Sequence, residues 1–320
     1  MLAQKQESMW IEIYRMNGFT VVYMPDIQKD KFLFWHLRRV LLALKIFFII
    51  EPYSQVHIQH PAQGVIRQII RLLKFKHIKT TLFIHDLDYF RYNNKHRKQK
   101  EIKLFKMVDE LIVPTPSMVE EIRKNNVKTP CKIMYLFDYL CNDQACLQEK
   151  NYQSIVFAGN MRKSPFLKKL TSDTTWDLKA YLYGATDDAF PENSVFSYQG
   201  CFDPNDISNI KGAWGLVWDG DSIKTCQSNM GIYLRINASH KVSLYLASGK
   251  PIIVWDQSSL KGFVETHQIG FSVSSLLDVP EKLNAISEAT YEKFVENAQK
   301  IACKMKQGAF LSTCLSTNES

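Results

Sequence analysis

No two cysteines stand at C-x-x-C spacing. None of the seven (Cys131, Cys141, Cys146, Cys201, Cys226, Cys303 and Cys314) clusters with histidine at zinc-ligand intervals, so no structural zinc is expected. An odd cysteine count in a chain this long reads as reduced thiols in a cytoplasmic protein. The opening MLAQKQESMW is too polar for the apolar core of a signal peptide. The most apolar stretch, 32–50, contains His36, Arg38, Arg39 and Lys45, which excludes a membrane-spanning helix but leaves a surface-lying one open. Repeats of 20–50 residues are missing, so solenoids are excluded, and no segment is low-complexity. RRM, KH, zinc-finger and helix-turn-helix patterns are missing too, which removes the usual nucleic-acid modules despite a pI near 9.0. No G-x-G-x-x-G follows any predicted strand, so a NAD-dependent dehydrogenase fails.

What is present fits a globular chain of two domains: 320 residues, 46% hydrophobic and 22% charged. The net charge of +8 is unevenly placed. Residues 1–150 carry 24 Lys and Arg against 15 Asp and Glu, whereas 151–320 carry 16 against 17. The excess points to an anionic surface near the first half.

Short apolar runs alternate with helical stretches, the pattern of βαβ units around parallel sheets. Strands are predicted at 20–24, 55–59, 80–85, 110–113 and 132–136, then at 154–157, 178–183, 195–198, 215–218, 251–255 and 270–273. Helices are predicted at about 31–48, at 117–125 with Ser117 as cap and Glu120 three residues on, and at 240–248. One or two more close the chain over 279–306, and the last ten residues are expected to fray. The polar, aperiodic stretch 138–153 reads as a linker. The expectation is therefore α/β with two doubly wound, Rossmann-like domains, 1–145 and 146–320, and a cleft between them. Ligands of such sheets sit at the carboxyl ends of the strands.

The most informative segment runs from GLVWDGDS at 215 to HKVSLYLASGKPIIVW ending at 255. A short helix there begins with Lys241 in its first turn, where free N–H groups and an ammonium together suit a diphosphate. The bland alternative is a helix–strand corner with a solvated lysine. Asp219 and Asp221 form a D-x-D by letter. The preferred reading is a turn after the strand, with Gly220 supplying positive φ.

The run Lys-x-x-x-Tyr-Leu-Ala-x-Gly-x-Pro-Ile-Ile resembles the nucleotide-sugar corner of GT-B glycosyltransferases. Together with FIHDLDYFRY at 83–92 and FAGNMRKSPFL at 157–167, it is similar to one bacterial group. That group includes the glucosyltransferase acting third on serine-rich-repeat adhesins, galactofuranosyltransferases, and capsule and exopolysaccharide transferases. The resemblance spans about residues 10–310. It implies transfer of a hexose from a UDP-sugar to a glycan acceptor, with the donor held in the C-terminal domain. Carried over position by position, Asn160, Arg162, Lys163 and Lys241 would meet the diphosphate, Tyr183 and Gly184 would lie near the base, and Asn237 and His240 would orient the donor or cap a helix. Two cations would offset the leaving-group charge without a metal, and no cofactor beyond the donor is implied. The acceptor and the base belong to the N-terminal domain. Asp86 is the first candidate, then His85, with Asp88 beside them just past a strand end; a capping role for Asp86 stays open.

Two departures from that pattern matter. The Glu-x7-Glu pair of retaining relatives is absent around 240–250, which favours inversion. Relatives begin with a strand and a small-residue loop, whereas this chain opens inside the following helix, so the first strand of the N-terminal domain is expected to be missing. A non-catalytic GT-B scaffold that stabilises an active transferase is accordingly the alternative reading. The run RYNNKHRKQKEIKLFK at 91–106, with seven Lys and Arg, and the cationic, apolar helix at 31–48 suggest contact with the inner face of a membrane and a lipid-linked acceptor. A buried helix with a solvated cationic face explains them equally. Relatives form oligomers, so a homo-oligomer is a further implied partner, while nucleic acid is not.

Overall fold

The computed structural model describes residues 2–22, 32–61, 65–141, 151–186, 193–228 and 230–316. The chain divides into two compact units. One is Thr20–Met134; the other joins Met1–Phe19 to Tyr135–Ser320. Helix α1 (Leu2–Met16) opens the chain and belongs to the second of these.

In the unit Thr20–Met134, α2 (Phe32–Ile49) leads to β1 (Gln55–His60), α3 (Ile66–Lys74), β2 (Lys79–Ile84), α4 (Asp88–Arg91), α5 (Lys95–Phe105), β3 (Glu110–Val113), α6 (Pro116–Arg123) and β4 (Cys131–Ile133). The strands pair in the order β1-β2-β3-β4, all parallel, with Val56 beside Thr80, Thr81 beside Glu110 and Leu111 beside Cys131. Leu82, Phe83, Ile84, Leu111, Ile112 and Val113 are wholly buried, because helical crossovers cover both faces of such a sheet. The cap of helix α6 lies two residues earlier than the sequence suggests. Thr115, extended, accepts the N–H of Met118 on its hydroxyl, and Pro116 follows at the first helical position, where its fixed φ fits and its missing N–H costs nothing. Ser117 is therefore inside the helix rather than its cap. Of the strand expected at 20–24, residues 20–22 are not in a strand and the rest lie outside the described residues.

The second unit contains α1, β5 (Ser154–Ala158), α7 (Phe166–Thr171), β6 (Lys179–Tyr183), β7 (Phe196–Tyr198), β8 (Trp214–Val217), α8 (His240–Ala247), β9 (Ile252–Trp255), α9 (Lys261–Thr266), β10 (Gly270–Val273), α10 (Val279–Asn284), α11 (Glu288–Lys306) and α12 (Ala309–Leu315). Its sheet runs β10-β9-β8-β5-β6-β7, again parallel throughout. Trp214, Trp218 and Trp255 are buried at its centre, and the Trp214 ring meets Phe271, Tyr291 and Phe294 at 5.1–5.5 Å. Truncating one such indole would cost about 3–5 kcal/mol.

By its contacts, the segment Met1–Phe19 groups with the second unit. Met9, Trp10, Ile13 and Tyr14 bury one side of α1 in the second, where Trp10 lies 6.0 Å from the rings of Phe137 and of His240, and Met9 Sδ accepts the N–H of Leu140 at 3.1 Å. The stretch from 138 is no solvated linker at its start. Asp138 is buried, with one carboxylate oxygen accepting the N–H of Phe310 at 3.1 Å and the other that of Leu311 at 2.8 Å. That contact also holds α12, a helix with Leu311, Cys314 and Leu315 buried, so residues 311–315 are not frayed, while 317–320 lie outside the described residues. Residues 142–150 lie outside the described residues. Among the described residues no helix is long and apolar enough to cross a membrane.

Candidate functional site

From β5 the chain first builds outward through β6 and β7, then returns to the opposite flank of β5 for β8, β9 and β10. The reversal falls between β5 and β8, and the carboxyl ends of those strands are where sheets of this kind take their ligands. Pairing between them stops early, at Ile155 with Trp214 and Val156 with Gly215. Beyond that point the hydroxyl of Tyr245, reaching up from α8, accepts the N–H of Ala158 at 2.8 Å and donates to the carbonyl of Leu216 at 3.2 Å. It thus satisfies two backbone groups that the splayed strands cannot give each other. Burial pushes this phenol well above its ordinary pKa, so it stays protonated and able to donate. Gly215 is required underneath, because a Cβ there would lie 2.2 Å from the Tyr245 ring.

Lys241 stands beside these strand ends in the first turn of α8. Ser239, not Asn237 or His240, caps the helix, its hydroxyl accepting the Lys241 N–H at 3.4 Å. The lysine is turned inward. Its Nζ lies 2.6 Å from Oδ1 of Asp219, 3.2 Å from the carbonyl of Trp218 and 5.2 Å from the centre of the Phe157 ring. The stem runs over Gly159, where a Cβ would approach the lysine Cε to 3.1 Å. A second glycine completes the floor: Gly184, at φ 137°, would place a Cβ 1.8 Å from the carbonyl oxygen of Gly159. No side chain is tolerated there, and the ends of β5 and β6 close up on bare backbone.

The other donor candidates separate into two sets. Asn160, Arg162 and Lys163 are exposed on the turn just after β5, at the same carboxyl-end rim as Lys241. Asn237 precedes α8; its Oδ1 is buried and accepts no hydrogen bond among the described residues, while its carbonyl accepts from Ser259 Oγ at 2.6 Å. His240 is committed to packing, stacked 4.1 Å from the ring of Phe137 at an interplanar angle of 21°. Tyr183 is buried, and its hydroxyl accepts the N–H of Lys211 at 3.0 Å, so it supports the sheet edge.

In the unit Thr20–Met134 the base candidates follow β2. His85 is buried with its ring 4.1 Å from that of Phe83. Asp86 pairs with Arg91 at 2.8 Å, and Asp88, opening α4, pairs with Arg97 at 2.9 Å. Both carboxylates therefore have a guanidinium as orienting partner.

Asp219 and Tyr245 carry more of the site than the sequence revealed. Gly220 does take positive φ, 107°, in a turn, yet the same turn aims Asp219 at Lys241. Asp256, after β9, is a further residue missed: its Oδ1 is buried without a hydrogen bond among the described residues. The thiol of Cys226, pushed up by burial, makes a neutral wall near Asp219, Lys241 and Asp256. Among the described residues no group of three or more His, Cys, Asp or Glu side chains is placed to hold a metal ion.

Two family profiles match the chain. One, described as glucosyltransferase 3-like, N-terminal domain, matches residues 1–136; the other, glucosyltransferase 3-like, C-terminal domain, matches residues 155–318. Similar proteins include the beta-1,6-galactofuranosyltransferase WbbI of Escherichia coli (strain K12), 29% identical over 77% of this chain and 72% of that one. Glucosyltransferase 3 of Streptococcus gordonii is 26% identical over 75% of this chain and 71% of that one. The fold resembles that of a sucrose-phosphate synthase from Thermosynechococcus elongatus (TM-score 0.57, 14% identity, 93% and 82% of the two chains covered). It also resembles that of HepE from Anabaena, solved with UDP and glucose (TM-score 0.57, 11% identity, 86% and 82% covered).

Proposed function

The chain belongs to the glucosyltransferase 3-like family of GT-B glycosyltransferases, and from that premise we propose that it transfers a hexose from a UDP-sugar to a glycan acceptor in surface polysaccharide or glycoprotein biosynthesis. The observation that carries the donor reading is Lys241, drawn inward over Gly159 at the point where β5 and β8 part. Gly159 and Gly184 add no side chain of their own to this rim, and the Lys241 ammonium supplies positive charge at its edge. Arg162 and Lys163, exposed on the same rim, add a second source of positive charge, and Asn160 a polar contact. The buried, unsatisfied Oδ1 of Asn237 suits a hydroxyl or N–H donor of the bound nucleotide sugar.

The chemistry proposed is inversion by direct displacement. An acceptor hydroxyl oxygen bonds to the anomeric carbon as the bond from that carbon to the β-phosphate oxygen breaks. The electron pair leaves with UDP, its growing charge offset by Lys241 and the rim cations, and the hydroxyl proton passes to Asp86. His85 and Asp88 are the neighbouring candidates for that proton. The unit Thr20–Met134 would supply the acceptor contacts, whether the glycan is protein-borne or lipid-linked, and the enzyme would work in the cytoplasm.

A thermal-shift panel of UDP-, GDP-, CDP- and dTDP-sugars tests this reading. Selective stabilisation by UDP and one UDP-sugar is expected. Equal response to all four nucleotides, or none, would overturn the donor assignment.

A further inference from the structure

We propose that α2 and the turn between α3 and β2 form a docking face for an anionic lipid surface. Along α2 the side chains of Leu37, Leu41, Leu44 and Phe48 recur at intervals of four, three and four residues, and so share one stripe; they are 53%, 56%, 39% and 76% exposed. Ala43 and Ile46 occupy the other side of the helix and are buried, with α3 packed alongside α2. The apolar surface continues past the helix end. Lys76 donates its ammonium to the carbonyls of Phe47 and Ile50, and the Tyr53 N–H donates to the carbonyl of Lys76 at 3.1 Å. These bonds bring Phe75 and Tyr53, 79% and 80% exposed, to the carboxyl end of α2.

Among the described residues, eight of the fourteen exposed large hydrophobic side chains lie between positions 37 and 75. Scattered single residues would need no explanation, but a concentration of this kind does. Its charge decides the occupant. Residues 32–78 contain seven Lys or Arg and a single carboxylate, Glu51. Arg38 and Lys45 on α2, Arg71 on α3 and Lys74 next to Phe75 in the chain are exposed. A second copy docked through the same face would set these cations against one another, since a two-fold contact repeats each patch on itself. Lipid phosphates offer the complementary sign: the apolar side chains enter the boundary between headgroups and acyl chains while the cations meet the phosphates. The helix would lie in the membrane surface rather than cross it. This face belongs to the unit Thr20–Met134 alone, and its binding is read without any nucleotide sugar, so its failure would leave the donor assignment standing.

The full-length chain is sedimented with phosphatidylcholine vesicles and with vesicles containing about one third phosphatidylglycerol. At least about tenfold stronger partitioning onto the anionic vesicles is expected, lost as salt is raised to about 0.5 M. Phe48→Ser with Phe75→Ser should weaken binding at least about tenfold, as should Lys45→Glu with Lys74→Glu, and neither pair should move the unfolding temperature because all four side chains are exposed. Equal pelleting on both vesicles, no pelleting on either, or wild-type binding by the Phe variants would overturn the proposal. So would a dimer in sedimentation equilibrium that Phe48→Ser dissociates, since that result gives the face to a second copy.

Discussion

The ammonium of Lys241 and the carboxylate of Asp219 stand 2.6 Å apart, with side chains 14% and 28% exposed. The cation proposed to meet a diphosphate is thus held in place before any ligand arrives. Such a pair positions the lysine and also competes with an incoming anion for it, and the second effect sets what each substitution should do.

Lys241→Met removes the positive charge and should weaken UDP binding, measured by titration calorimetry, at least about tenfold. Asp219→Asn removes the competitor and should leave UDP binding equal or stronger. If both substitutions weaken binding alike, Lys241 acts as packing and the diphosphate site lies elsewhere.

Tyr245→Phe deletes a hydroxyl that bridges the Ala158 N–H and the Leu216 carbonyl. Two buried backbone groups lose their partner, so a loss of about 1–3 kcal/mol is expected in urea unfolding, with the fold retained. Stability equal to wild type would mean the strands can close on each other without it.

Asp86→Asn keeps a side chain of the same shape next to Arg91 but cannot take a proton. Turnover should fall by about 10²–10⁴-fold, while UDP affinity is unchanged. Undiminished turnover would remove Asp86 from the mechanism and leave it the role of holding Arg91.

Asp138 gives a pH dependence with a definite sign. Burial pushes its carboxyl up from 3.8 to about 7, although the N–H groups of Phe310 and Leu311 pull the other way. Between those two values the folded chain keeps a proton that the unfolded chain has released. Stability from this group is therefore full below about pH 4, falls as pH rises toward about 7 and is flat beyond, a change on the order of 4 kcal/mol. Asp138→Asn should abolish that slope when urea midpoints are compared at about pH 5 and about pH 8.

The sheets were legible in the sequence because their strands are buried on both faces and so appear as short continuous apolar runs such as ELIV and PIIVW. Lys241 was legible for a related reason: a helix start, a strand and a glycine corner sit within a dozen residues. Its partner was not. Asp219 lies 22 positions earlier in a turn that Gly220 explains by itself, and no spacing rule joins that turn to the first turn of α8. The cap at Thr115 was hidden by a plausible Ser117, and only the fixed φ of Pro116 separates the two. The destination of α1 was equally hidden. Periodicity marks Met9, Trp10, Ile13 and Tyr14 as one buried side but says nothing of which sheet receives them.

That destination has a consequence for biosynthesis. Asn17, just after α1, donates its amide to Ser312 Oγ at 2.8 Å on α12, so the first helix completes a body whose last piece is translated about 290 residues later. At 5–20 residues per second, the ribosome would leave that helix waiting roughly 15–60 s for its last partner, a window in which a holdase could engage the nascent chain.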